Sequence, residues 1–141
     1  MEIILMDTDF CFEYLNNNKE ATTVLFDNID SAFMLPFTTH AELLKSCTNS
    51  EIMQRLVSRI RKAKLLTIHI DDDISTTALQ LIQKFHLSHA AAIPDSLTAA
   101  MCLKYDAILA TCNKKHFQYI PKLKLLQHNV KPKAGGFFDL M

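Results

Sequence analysis

Only two of the 141 residues are glycine, Gly135 and Gly136, and both lie close to the C-terminus. A Walker loop or a G-x-G-x-x-G dinucleotide loop needs glycine after an early strand, so the ordinary nucleotide-binding readings are excluded. The four cysteines, Cys11, Cys47, Cys102 and Cys112, include no C-x-x-C pair. Neither a zinc cluster nor a disulfide framework is indicated, and reduced cytosolic thiols are expected. No apolar run approaches the roughly 20 residues that cross a bilayer. The N-terminus lacks the basic start and long apolar stretch of a signal peptide, so the expected location is cytoplasmic. An excess of one charge sign is also missing, since 15 Lys and Arg balance 15 Asp and Glu. Net charge therefore points to no nucleic-acid partner, and any basic surface has to be local. Repeats, low-complexity blocks and long linkers are absent as well.

What remains is 49% hydrophobic, too apolar for a disordered chain and long enough for one proper core. Residues 2–7 read as a buried strand, and 9–16 and 19–29 as helices. Residues 32–37 form a second apolar run, followed by helices over about 39–47 and 50–63. Ile52, Leu56, Ile60 and Ala63 fall at helical spacing in the latter. Residues 65–70 read as a third strand and 74–85 as a helix with Ile74, Ala78, Ile82 and Phe85 on one face. Pro94 and Asp95 open a helix that reaches Tyr105. Residues 107–111 read as a fourth strand and 123–126 as a fifth. This alternation predicts an α/β fold with a central, mainly parallel sheet and helices on both faces. One domain over 1–130 and a C-terminal tail over 131–141 are expected.

In such sheets ligands bind beyond the carboxyl ends of the strands. Asp7 and Asp9, in the stretch MDTDF, follow the first strand. Glu42 falls in the first turn of the helix after the second strand. Asp95 opens the helix before the fourth strand, and Asn113 follows that strand. Each has a structural reading. Thr39-His40-Ala41-Glu42 fits a capping box in which Glu42 bonds back to the Thr39 amide. Asp9 and Asp95 suit helix N-termini, and Asn113 suits a turn. Collected in one cleft, however, the carboxylates would repel: two charges about 4 Å apart cost roughly 4 kcal/mol at an effective dielectric near 20. Protons or a cation would have to neutralise them, and an oxygen-only donor set suits Mg²⁺ or Mn²⁺ better than zinc.

With these residues in view, the chain resembles the PIN-domain ribonucleases, and within them the VapC-type toxins of toxin–antitoxin pairs. The resemblance runs from about residue 3 to residue 126. IILMDTDFCFEYL resembles the family's opening strand, acid and helix, and FTTHAELLKS resembles the second motif, with Glu42. HAAAIPDSLTAAMCLKYDAILATCNKKHFQYIPKLKLL resembles the third and fourth motifs run together, with Asp95 and Asn113 at the polar positions. The resemblance implies a PIN-like three-layer α/β/α sandwich and a Mg²⁺-dependent endoribonuclease, with Mn²⁺ as the other candidate ion. It implies that Asp7, Glu42 and Asp95 gather the metal and that Asn113 helps through a water or a second ion. Thr111 becomes a hydroxyl partner of the site. A homodimer, an RNA substrate and a cognate antitoxin are the implied partners. The chain departs from the family in having Asn113 where many members have Asp, and Asp9 where Asn is frequent. The tail KPKAGGFFDLM has no counterpart in the resemblance.

Other polar groups have two readings each. Arg55, Arg59 and Lys62 share a helix face, either solvated or turned to phosphate or an acidic partner. Lys114, Lys115 and His116 lie just past Asn113, where phosphate contact competes with turn chemistry. His40 is a rim or surface histidine, and Asp71-Asp72-Asp73 suits a helix cap. Phe137 and Phe138 could stack on bases or dock a partner, or belong to a mobile tail. Two other functions compete. A D-x-D after the first strand also resembles haloacid-dehalogenase-like phosphatases, with Asp7 as nucleophile. Alternatively, the fold is a non-catalytic RNA- or protein-binding PIN module.

Overall fold

The computed structural model describes residues 1–132; the expected tail, with Phe137 and Phe138, lies outside them apart from Lys131 and Pro132. The elements run β1 (Ile3–Met6), α1 (Thr8–Leu15), α2 (Lys19–Asp27), β2 (Ala32–Pro36), α3 (Phe37–Lys45) and α4 (Ser50–Lys62). They continue as β3 (Leu66–Ile68), α5 (Asp72–His89), α6 (Ile93–Tyr105), β4 (Ile108–Ala110), a 3₁₀ turn at Lys114–His116 and β5 (Lys124–Leu125). The sheet order is β3-β2-β1-β4-β5, and every pairing is parallel. The α/β/α sandwich expected from the sequence is therefore the observed fold.

The period-2 alternation of β1 divides the core. Ile4 and Met6 face one side, with Phe10, Leu15, Leu43 and Leu56 from α1, α3 and α4. Leu5 faces the other, with Ile74 and Ala78 of α5 and Ala99 to Cys102 of α6. Ile4, Leu5 and Met6 are all fully buried, and each such side chain contributes about 1.5–3 kcal/mol relative to exposure. A strand covered on both faces reads as a continuous apolar run, which is how IILM reads. β1 is flanked by β2 and β4, so whatever follows Met6 emerges at the middle of the carboxyl edge.

Two expectations at helix starts are corrected. α3 begins at Phe37, directly after Pro36, so Thr39 lies inside the helix and Glu42 falls in its second turn, not its first. The capping box does not form. Thr39 is fully buried and its hydroxyl donates to the Met6 carbonyl at 2.8 Å, a tertiary demand that overrides the local capping pattern. Asp9 is not an N-cap either: α1 starts at Thr8 after Asp7. The Asp71 cap is as expected, its carboxylate accepting from the Ile74 amide at 2.9 Å. Lys104 reaches over from α6 to the same carboxylate.

The scarcity of glycine leaves a mark on the turns. Asn17, Lys64, Ala90, Asp106 and Lys122 all take positive φ, between 50° and 66°. Such left-handed conformations cost most L-residues roughly 1–2 kcal/mol. Ala90 and Asp106 end α5 and α6 in this way, where glycine is the usual choice.

Candidate active site at the carboxyl edge of the sheet

Asp7 leaves the end of β1 with its amide donating to the Ala110 carbonyl of β4 at 2.9 Å. Its carboxylate makes no capping bond to α1. Instead Oδ2 accepts from the Thr111 hydroxyl at 2.8 Å, and that hydroxyl in turn accepts from the Asn113 amide at 3.0 Å. Asp9, in the first turn of α1, accepts from Asn113 Nδ2 at 3.0 Å. Asp95, in the first turn of α6, lies 3.2 Å from Nδ1 of His116. The segment after β4 is thus stitched to three acids: Thr111 to Asp7, Asn113 to Asp9, and His116 to Asp95.

The carboxylates share one electrostatic neighbourhood. Burial pushes the Asp7 carboxyl above its ordinary pKa; the Thr111 hydroxyl and the Thr8 amide hold it back, and the charges of Asp95 and Asp9 push it further. Glu42 stands at the solvent rim of the cluster. Desolvation of its carboxyl raises its pKa, with Asp7 and Asp95 adding to the rise, Thr8 opposing, and Asp9 contributing last. Asp95 is likewise raised by burial, opposed by His116, with Asp9 adding a smaller push. The same negative field reaches Cys112, pushed up to about 12 by burial first and then by Asp9, Glu13 and Asp7. Four acids from three separate stretches of sequence therefore act on one another. A fold concentrates like charges in this way at functional sites more often than elsewhere.

Thr8 Oγ1 is buried and makes no hydrogen bond of good geometry among the described residues, although it lies close enough to Glu42 to favour that side chain's charged form. A buried hydroxyl left unpaired costs about 1–3 kcal/mol, which a water or cation in the cluster would relieve. The four acids of the cluster offer carboxylate oxygens, which suit Mg²⁺ or Mn²⁺. Among the described residues no three His, Cys, Asp or Glu side chains already close on one point as a ligand set. Asp7, Asp9 and Asp95 are each turned to a protein partner instead. The residue types fit a divalent cation; holding one requires these side chains to turn from their partners towards a common centre.

Of the sequence-predicted residues, Asp7, Asp9, Glu42 and Asp95 lie within electrostatic reach of one another without closing on one point, and Thr111 and Asn113 bind two of them. Lys114 and Lys115 lie in the 3₁₀ turn directly after Asn113, with Lys114 Nζ 3.2 Å from Gln127 Oε1. His40 is half-buried and bonded to Thr67 on β3 at 2.8 Å. Arg55 pairs with Glu51 within α4, and Arg59 donates to the Leu15 carbonyl, tying α4 to the end of α1. Asp71 and Asp73 are engaged by Lys104, away from Asp7. Two residues escaped the sequence reading. His116 was legible only as part of a basic run, since 21 positions separate it from Asp95. His128 carried no signal at all, yet its Nε2 donates to the Thr111 carbonyl at 2.7 Å.

Two open cavities lie towards opposite ends of the sheet. The larger, about 530 Å³, is an apolar groove at the amino ends of β2 and β3, bordered by Phe26, Ile29, Phe33 and Leu66. The other, about 490 Å³, adjoins the carboxylates and is bordered by Thr111, Asn113, Lys114, Lys115 and His116.

A parallel sheet flanked by helices on both faces, with acids gathered beyond its central strand, defines an α/β protein whose candidate site lies at the carboxyl edge. The chain belongs to the PIN-domain family, whose model matches residues 4–123. Its fold is similar to that of a chain in DNA-bound VapBC from Salmonella typhimurium, with a TM-score of 0.76 and 16% identity over 89% of this chain and 98% of that one. A chain in VapBC2 from Rickettsia felis, bound to a DNA fragment from their promoter, gives 0.75 and 19% over 88% and 97%. A chain in VapBC-1 from nontypeable Haemophilus influenzae gives 0.71 and 21% over 88% and 96%. No curated protein sequence matches the chain.

Proposed function

We propose that this chain is a divalent-metal-dependent endoribonuclease and the toxin of a type II toxin–antitoxin pair. The observation that carries the reading is the gathering of Asp7, Asp9, Glu42 and Asp95 within one another's electrostatic reach at the carboxyl edge of the sheet, stitched there by Thr111, Asn113 and His116. Family membership supports nuclease chemistry, and the VapBC complexes of similar fold support an antitoxin partner.

In this reading Asp7, Glu42 and Asp95 hold Mg²⁺, or Mn²⁺ in its place. A bound ion would supply the Lewis acidity that hydrolysis of a phosphodiester needs. Thr111 fixes the rotamer of Asp7, and Asn113 holds Asp9 at the flank of the cluster. His116 restrains Asp95 until that carboxylate is needed as a ligand. Lys114 and Lys115 meet RNA phosphate. The functional unit is a cytoplasmic homodimer with one PIN-like domain over 1–130 in each copy and a tail over 131–141.

The test is incubation of the purified chain with a structured RNA pool and with DNA of matching sequence, with added Mg²⁺ or with EDTA. Cleavage of RNA alone, abolished by EDTA, is the expected result. A non-catalytic RNA- or protein-binding module is the second reading. The observation favouring it is that the acids are satisfied by protein donors rather than preset as ligands. Metal-independent RNA binding without cleavage would support it.

A further inference from the structure

The cavity beside the carboxylates differs in character from the cluster it adjoins. Its polar wall is the segment from Thr111 to His116, the same segment that is stitched to Asp7, Asp9 and Asp95. Two lysines, Lys114 and Lys115, line it, and none of the four acids is among its lining residues. Lys115 is exposed and has no ion-pair or hydrogen-bond partner among the described residues. His116 uses Nδ1 on Asp95 and has no partner at Nε2 among the described residues. Cys112 and Val130 add the apolar part of the lining.

His128 also lines the cavity but offers no donor to a ligand. Its Nε2–H is spent on the Thr111 carbonyl at 2.7 Å. Its Nδ1 accepts from the Val130 amide at 3.0 Å, and its ring meets Phe10 edge-on, with centroids 5.0 Å apart. Val130 is buried against the α1 side of the core. His128 is therefore held in place by Thr111, Val130 and Phe10, and the rest of the polar lining includes the two lysines. Its volume of about 490 Å³ lies within the roughly 300–1,000 Å³ typical of small-ligand pockets.

We propose that this cavity seats one nucleotide unit of a single RNA strand, the unit next to the bond brought to the carboxylates, with its backbone phosphate on Lys115. The identity of the strand rests on the ribonuclease reading; the seat itself rests on the cavity. The chemistry is consistent on both sides. A phosphodiester approaching four carboxylates is repelled, and the chain's zero net charge provides no general attraction to offset this. The lysine pair follows directly on Asn113, itself bonded to Asp9, and provides a local one, effective within a Debye length of about 8 Å at physiological salt. The apolar part of the lining suits a base, and the lysine side suits the phosphate. The apolar groove at the other end of the sheet lacks this juxtaposition of lysines with the acid cluster.

The test is fluorescence anisotropy of a short labelled single-stranded RNA with the full chain, in EDTA so that no cleavage occurs, across a salt series. Lys115→Gln is expected to weaken binding and to reduce the slope of log K against log salt by about 0.7, the value for one lost single-strand phosphate contact. Lys19→Gln, on α2, leaves both unchanged. The Lys115 effect is expected to persist in an Asp95→Asn chain, where cleavage is absent, so failure of the nuclease reading and failure of the pocket are separately visible. No measurable RNA binding, or binding and slope unchanged in Lys115→Gln, overturns the proposal. So does unchanged RNA binding combined with weakened antitoxin association, which would assign the cavity to a protein partner.

Discussion

The Thr111 hydroxyl donates to the Asp7 carboxylate at 2.8 Å across 104 positions of sequence. The same oxygen accepts from the Asn113 amide, so a single hydroxyl fixes both the central acid and the loop after β4. Thr111→Val keeps the shape and removes both bonds, leaving the Asn113 amide without this acceptor. Stability is expected to fall by about 1–2 kcal/mol, and cleavage to weaken because Asp7 loses its rotamer. Urea melts and cleavage rates check the two effects; unchanged cleavage in a folded variant would remove Thr111 from the site.

Asp7→Asn separates function from folding. Cleavage is expected to drop by on the order of 10³-fold, equivalent to about 4 kcal/mol. The metal-free variant is expected to melt higher, because one member of a repelling set is gone while the Thr111 bond can still form. A gain of about 1 kcal/mol would raise Tm by roughly 3–5 °C. A folded wild type and an unfolded variant would assign Asp7 a structural role instead.

Mg²⁺ is expected to raise the melting temperature of the wild-type chain. Ligand at about 100 times its Kd contributes about 2.7 kcal/mol. The rise should vanish in Asp7→Asn and shrink in Glu42→Gln. Calorimetry with and without EDTA measures it, and equal shifts in all three chains would indicate binding elsewhere.

His128 makes stability depend on pH. Burial holds its pKa below the ordinary 6.5, with the Thr111 carbonyl opposing and Lys114 adding to the depression. Its Nδ1 accepts a bond from Val130, so the folded state prefers the neutral ring and the unfolded chain takes up the proton first. The stabilisation is fully present above about pH 6.5 and is lost as pH falls from there through the folded-state value. His128→Gln should flatten that part of the stability profile in denaturant melts. An identical slope in both chains would contradict the assignment.

Ala90→Gly tests the cost of scarce glycine. Ala90 ends α5 at φ 52°, with its amide on the His86 carbonyl. Glycine takes this conformation without the Cβ clash, so a gain of about 1 kcal/mol is expected. A loss of stability on substitution would mean that the Ala90 methyl contributes more through packing than it costs in strain.

Much of this architecture was legible in the sequence. IILM could be read as a strand buried on both faces because parallel sheets produce unbroken apolar runs. Pro94-Asp95 and Asp71 marked helix starts by local chemistry. The α3 start was misjudged because Thr39 is claimed by the Met6 carbonyl, a contact from a distant strand that no local pattern encodes. The meeting of Asp7, Glu42 and Asp95 was inferable only once a parallel sheet was assumed. The stitches from His116 and Asn113 depend on side-chain geometry after β4, and His128 on a carbonyl it reaches from 17 positions away.

The most direct test of the central claim is RNA cleavage by the wild-type chain and Asp95→Asn, both first shown to be folded, over one Mg²⁺ titration. Cleavage that rises with Mg²⁺ in the wild type and is absent in the variant is the predicted result. Equal cleavage by the two chains, or none from the folded wild type at any Mg²⁺ concentration, would contradict it.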